Sequence, residues 1–299
     1  MALLTNSDYE TFTKLCGLSQ KAIKKTLSHY LKTIYPKVVE RKEYIFAEGD
    51  IPVALVAHMD TVFQSPPYNF YYDREKEVIW SPQGLGADDR AGVYGIIKLL
   101  RSGLRPHIIF TTDEEKGGLG ATALISDYEK HPFKDLRYII ELDRQGEDDC
   151  VFYWCDNGSF SEYIESFGFI TDIGSFSDIS IICEQWGVAG VNLSIGYEDE
   201  HSKTEVLHVD WMMRTLGIVA GMLLEDDIPC FEYIKAELPK YYQMILARNM
   251  QCYHCDKPFD AYDGYPVLCK DGRYHNWCVD CMASPELIKW DDEGIANEQ

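Results

Sequence analysis

The sequence predicts an α/β protein, a three-layer sandwich on a mixed, largely parallel sheet, followed by a small C-terminal module. Two observations predict the sandwich. Apolar, β-rich runs near residues 53–57, 107–112, 138–142 and 188–195 alternate with helical patterns near 91–100, 159–167 and 209–224. That alternation is the pattern of a sheet covered by helices. Four of the runs also lead into Asp, Glu or His, which at a strand's carboxyl end are placed for a ligand site. A third observation predicts the module: five of the ten cysteines fall between Cys252 and Cys281, clustering that points to a metal more than to disulfides in a chain of this length.

The elements follow in order. Apolar positions at helical spacing over residues 6–34, interrupted by Tyr35-Pro36, predict an N-terminal helix. The strands and helices of the sandwich come next, and Glu225, Asp226, Asp227 and Pro229 punctuate the pattern. The boundaries are therefore expected at 1–230 for the sandwich domain, 231–250 for a helical linker and 251–299 for the cysteine-rich module. No internal repeat or low-complexity tract interrupts them.

Composition narrows the function classes. The 299 residues are 46% hydrophobic and 26% charged, the profile of a folded domain with enough chain to bury a core. Net charge is 28 − 49 = −21, which repels phosphate backbones and acidic membranes and argues against both as partners. No apolar run approaches the roughly 18–20 residues of a membrane span. The opening MALLTNSDYETFTKLCGL is too polar for a secretory signal, so a cytoplasmic location is expected.

The chemistry is read from five places. The run Val56-Ala57-His58-Met59-Asp60-Thr61 puts a His at a strand end and a carboxylate two residues on. In extended chain that carboxylate points the same way and can hold the imidazole tautomer of a metal-ligating His. Gly84-Leu85-Gly86-Ala87-Asp88-Asp89-Arg90-Ala91-Gly92 opens an apolar helix. It reads either as a Gly-rich turn with an Asp cap or as a loop delivering a bridging carboxylate. The strand ending Thr111-Thr112 runs into Asp113-Glu114-Glu115. Adjacent glutamates suit a divided task, one binding metal while the other accepts a proton from an activated water. Glu141-Leu142-Asp143 ends the next strand, and Gly196-Tyr197-Glu198-Asp199-Glu200-His201 follows the last.

In this order VALVAHMDTV, GLGADDRAGV, TTDEEKGGLGA, ELDRQG and EDEHSKTE resemble the metal-binding blocks of the co-catalytic zinc exopeptidases, the clan of leucyl-type bacterial aminopeptidases, peptidase T and glutamate carboxypeptidases. The resemblance implies a zinc-exopeptidase-like sandwich and two catalytic Zn2+ ions. It implies that Asp88 bridges them, that His58 and Asp143 complete one, and that Glu115 and His201 complete the other. Glu114 would be the general base and Asp60 the partner of His58. Asp89 would hold the turn, with the reversed pair left open. The expected reaction is cleavage of a peptide or related amide bond, with two cations polarising the carbonyl and activating water. An aminopeptidase is favoured, and an amidohydrolase or deacylase on an amino-acid conjugate is the alternative. Only 57 residues separate Asp143 from His201, which leaves no room for the inserted lid domain of larger members. The chain thus resembles the compact single-domain branch, as does Ser177-Asp178, which a helix N-cap explains equally well.

Cys252-x2-Cys255 and Cys278-x2-Cys281 lie 22 residues apart with Cys269 and His275 between. Paired knuckles of this kind predict one structural zinc, either on Cys252, Cys255, Cys278 and Cys281 or with His275 in place of Cys281. GRYHNWCVDC resembles LIM, RING and treble-clef modules. Lys257, Lys270, Arg273 and Lys289 stand against Asp256, Asp260, Asp263, Asp271 and Asp280, so the stretch is no basic patch and a protein contact is favoured over nucleic acid. An inactive adaptor working through this module is a further reading. Glu114 argues against it, because a structural metal site needs no free base.

Overall fold

The computed structural model describes residues 4–236 and, beyond them, 250–252, 255, 257–259, 264–268 and 274–278. The chain divides into two compact units, Met1–Ala236 and Glu237–Gln299. In the first, α1 (Asn6–Cys16) and α2 (Gln20–Ile34) precede strands β1 (Val38–Glu40), β2 (Tyr44–Ala47), β3 (Ile51–His58), β4 (Tyr71–Asp73) and β5 (Val78–Trp80). Then come α3 (Ala87–Arg101), β6 (Pro106–Thr111), a 3-10 turn (Glu114–Lys116), α4 (Leu119–Asp127), β7 (Tyr138–Arg144), β8 (Asp149–Val151) and α5 (Gly158–Glu165). The unit closes with β9 (Ile170–Thr171), α6 (Asp178–Trp186), β10 (Gly190–Ser194), β11 (Tyr197–Glu198), β12 (Val206–His208) and α7 (Val209–Leu223).

Eight strands form the main sheet in the order β1-β2-β6-β3-β7-β10-β8-β9. Its centre is parallel, with β3 between β6 and β7 and β10 beside β7, while β1, β2 and β8 pair antiparallel. The predicted α/β sandwich with a mixed, largely parallel sheet is what is found. The two-residue period of β3 shows the layering: Val53, Leu55 and Ala57 join one core with α1, α2, α3, α5 and α7, and Ala54 and Val56 join the other with α4 and α6. Strand β6 is buried throughout, as expected of a central strand covered on both faces. Each such Ile or Leu contributes roughly 1.5–3 kcal/mol on burial.

Several expectations are corrected. The N-terminal helix is two helices. The Gly17 N–H returns to Thr13 O (2.9 Å) as α1 ends, and Ser19 caps α2 by accepting from the Ala22 N–H. The apolar period continues across the break, so periodicity alone does not reveal it. Strands β1, β2, β4, β5, β8, β9, β11 and β12 and helices α4 and α6 add to the predicted set. Strands β11, β12, β5 and β4 form a second, four-stranded sheet. Within the expected helical linker, residues 232 and 235 are extended and bridge antiparallel to Val188 and Cys155; residues 237–249 lie outside the described residues. Packing against the sheet margin outweighs local helical preference there.

In the second unit, β13 (Met250–Gln251) pairs with β14 (Pro258–Phe259), and β15 (Gly264–Leu268) with β16 (Tyr274–Cys278). Cys252 is buried, and its N–H donates to Lys257 O across the first knuckle (3.0 Å). His275 and Cys278 lie on β16, whereas Cys269 and Cys281 fall outside the described residues.

Candidate metal centre

Parallel packing brings the carboxyl ends of β3, β6 and β7 to one edge, and the predicted residues converge there. His58 is the last residue of β3, Asp143 lies near the end of β7, and Glu114 and Glu115 occupy the turn after β6. Asp88 stands at the start of α3, where the Asp88-Asp89 peptide is cis and both residues depart from helical angles. His201 lies in the loop between β11 and β12, on left-handed backbone (φ 62°). Helix α3 sits so close to β7 that a Cβ on Gly92 would lie 2.2 Å from Leu142 O. Only glycine permits that approach, and the approach sets the acidic turn beside Asp143.

Asp88 is the pivot. Its Oδ1 lies 3.0 Å from His58 Nε2, and its Oδ2 lies 2.9 Å from His201 Nε2. His58 Nε2 also faces Asp143 Oδ1 at 3.4 Å, and His201 Nε2 faces Glu115 Oε2 at 3.1 Å. Two donor sets result, His58-Asp88-Asp143 and Asp88-Glu115-His201, each with its ligand atoms within 4.8 Å of one another. Tetrahedral bonds of about 2.0–2.1 Å put neighbouring ligands roughly 3.3–3.4 Å apart, so the spacing fits small divalent cations. Asp89 is turned away: its carboxylate accepts the His58 N–H (3.2 Å) and the Gly92 N–H (2.9 Å). It thereby caps the regular part of α3, and of the pair it is Asp88 that both histidines face.

Asp60 ties the site together. It accepts the N–H groups of Glu114 and Glu115, each at 3.1 Å, and lies 3.3 Å from His58 Nδ1. One carboxylate thus orients the imidazole and fixes the glutamate turn.

The donor chemistry calls for cations. Nine carboxyl groups (Asp60, Asp88, Asp89, Glu114, Glu115, Glu141, Asp143, Asp178 and Glu205) gather in buried or half-buried positions around two imidazoles and Arg90. Burial, with Asp143, Asp178 and Asp88 nearby, pushes Glu114 up to about 9 against the pull of His58. Burial drags His58 down, but Asp143, Asp60 and Asp88 outweigh it and hold the ring well above its usual range. Glu115 Oε1 is buried without a partner. Imidazole and carboxylate donors in an orphaned acidic pocket suit zinc.

Sequence reasoning missed a surrounding shell. Ser177 does not cap α6 through its side chain. Its hydroxyl donates to Glu141 and lies 3.4 Å from Asp143, which corrects the N-cap reading. Asn192 accepts the Asp143 N–H and donates to Asp143 O, both at 2.9 Å, while the Tyr197 hydroxyl donates to Asp143 Oδ1 at 3.1 Å. These polar residues sit in buried strands or at strand ends, where a hydroxyl or amide has no signature beyond interrupting an apolar run. Glu205, four residues beyond His201, accepts the N–H groups of Gly86 and Asp88, the latter at 3.0 Å. It clamps the loop carrying His201 to the loop carrying Asp88. Glu205→Ala is expected to weaken the binding of a divalent cation at these donor sets by about 10–100-fold, read by competition with a chelator; wild-type affinity in a folded variant would rule out the clamp.

Residues 40–167 match the family model described as Peptidase family M28. The fold is similar to aminopeptidase PepT from Bacillus cereus (14% identity, TM-score 0.59, covering 73% of this chain and 98% of that one). It is also similar to a tripeptidase from Staphylococcus aureus (15%, 0.60, 73% and 98%) and to a TET aminopeptidase from a Thaumarchaeota archaeon (12%, 0.57, 75% and 97%). No curated protein matches the chain. The resemblance to the co-catalytic exopeptidase clan is thereby borne out, and the M28 match together with the fold supports an enzyme, a metallopeptidase of exopeptidase type.

Proposed function

We propose that the chain is a zinc-dependent aminopeptidase. The observation that carries this reading is the Asp88 carboxylate, whose two oxygens each face a different imidazole, with Glu114 on the adjoining turn. In this reading His58, Asp88 and Asp143 hold one zinc, and Asp88, Glu115 and His201 hold the other. When bound, the pair supplies Lewis acidity and a water of lowered pKa. Glu114 would accept a proton from the attacking water and return it to the departing nitrogen. Asp60 keeps His58 in one tautomer and holds Glu114 in reach, and Tyr197, Ser177 and Asn192 keep Asp143 from rotating.

The substrate is a peptide with a free amino terminus. In this reading the expected boundary at 230 moves to the end of the first unit at Ala236, and a zinc-finger-like module at 251–299 holds a structural zinc on Cys252, Cys255, Cys278 and Cys281, with His275 as the alternate ligand. That module is proposed as a protein contact. The proposed working site is cytoplasmic; among the described residues no helix is long and apolar enough to cross a membrane.

The test joins metal analysis to peptide specificity. Purified protein is expected to hold about three zinc ions and to hydrolyse a peptide with a free amino terminus but not its N-acetylated form. Activity should vanish on chelation and return with zinc. Cys252→Ser should lower the zinc content by about one while leaving hydrolysis intact. Hydrolysis of the acetylated peptide alone would replace the aminopeptidase with a deacylase, and metal-independent turnover would end the zinc reading.

A further inference from the structure

Residues 21–42 hold Lys21, Lys24, Lys25, Lys32, Lys37, Arg41 and Lys42, seven of the 28 basic residues of the chain, against Glu40 as the one carboxylate. In a protein of net charge −21 this concentration marks a local surface of opposite sign. The fold makes it a groove. Lys21, Lys24 and Lys25 on α2 and Arg41 and Lys42 beyond β1 line a cavity of about 930 Å³, within the roughly 300–1,000 Å³ that takes a small ligand.

The carboxylates there are already engaged. Glu40 accepts from Ser28 and pairs with Lys32 (2.7 Å), Glu43 pairs with Lys42 (3.2 Å), and Asp113 pairs with Lys116 (2.7 Å). The Lys24 ammonium is held by the Arg41 and Lys42 carbonyls. Lys21, Lys24 and Lys25 make no salt bridge among the described residues.

The groove adjoins the catalytic turn. Thr112 and Asp113, immediately before Glu114, form part of its wall. Gln20 lines both this groove and a second cleft of about 430 Å³ that contains Asp60, Glu115 and Lys116. Its amide faces Asp113, with both contacts at 3.4 Å.

We propose that the groove receives an acidic stretch of a peptide whose scissile bond lies at the metal centre, so that the enzyme favours peptides carrying Asp or Glu beyond the residue it removes. This rests on the aminopeptidase reading. Gln20 lies on the wall of both the cleft and the groove, so an extended peptide, advancing about 3.3–3.6 Å per residue, would pass from one to the other along it. The long-range field of the protein repels such a peptide, but at physiological salt charges act over about 8 Å, and Lys21, Lys24 and Lys25, which make no salt bridge among the described residues, line the groove itself.

The test uses peptides sharing an amino-terminal residue and differing downstream as three alanines, three glutamates or three lysines, at low and high salt. The acidic peptide is expected to show a KM on the order of tenfold lower than the alanine peptide at low salt, converging at high salt. The combined variant Lys21→Glu, Lys25→Glu and Lys42→Glu should lose this preference while turning over the alanine peptide as before. Hydrolysis of all three peptides with equal KM, or a preference that survives the triple variant, overturns the acidic-peptide assignment and leaves the aminopeptidase reading standing. Hydrolysis of none overturns both. Binding of a single-stranded oligonucleotide without any acidic-peptide preference assigns the groove to a polyanion and also overturns the proposal.

Discussion

Glu114→Gln is expected to lower peptide turnover by about 10²–10⁴-fold, the range for loss of a general base, while bound zinc stays at the wild-type level. The two parts are independent. Glu114 belongs to neither donor set, so turning its carboxyl into an amide leaves both intact. Its N–H remains anchored on Asp60 (3.1 Å), so the turn keeps its shape and Glu115 its position. The amide, however, cannot accept a proton and return it. Turnover within a few-fold of wild type would remove Glu114 from the mechanism, and loss of zinc would move it among the ligands. A drop confined to KM with kcat preserved would mean that it binds substrate instead.

The second large effect is expected at Asp88. Asp88→Ala takes away the carboxylate shared by both donor sets, so both zincs of the proposed centre should be lost together and activity should disappear. Burial opposes the charge on Asp88, but His201 and His58 outweigh it and hold the carboxyl well below its usual range. Asp89→Asn is the matched control. Its side chain serves the backbone N–H groups of His58 and Gly92, and losing part of that costs about 1–3 kcal/mol of stability while zinc is retained. Metal analysis of the two purified variants separates the roles. Zinc retained in Asp88→Ala and lost in Asp89→Asn would reverse the pair.

Much of this site is legible in the sequence because parallel sheets put functional residues in one kind of place. His58, Asp88, Glu114, Glu115 and Asp143 each sit at or just past an apolar run or at a helix start, and that local pattern survives without a structure. His201 is legible through its order after the last strand. Glu205, Ser177, Asn192 and Tyr197 are not, because their work is to hold a ligand that is distant in sequence. Glu205 meets the N–H of Asp88 across 117 positions, and Tyr197 meets Asp143 across 54. The break at Gly17 was hidden because apolar spacing continues through it.

By itself the sequence determined the layered α/β class, the order of the acidic and imidazole residues along the strands, and the clustering of cysteines at the far end. These depend on periodicity and spacing, which are properties of the chain. Tertiary structure alone decided that Asp88 rather than Asp89 turns its two oxygens to the histidines. It also decided that Asp60 joins His58 to the glutamate turn, and that lysines from α2 and the residues after β1 face a common groove beside that turn. The physical reason is that hydrogen bonds and charge interactions act over a few ångströms of space, and only folding sets which distant residues fall within them.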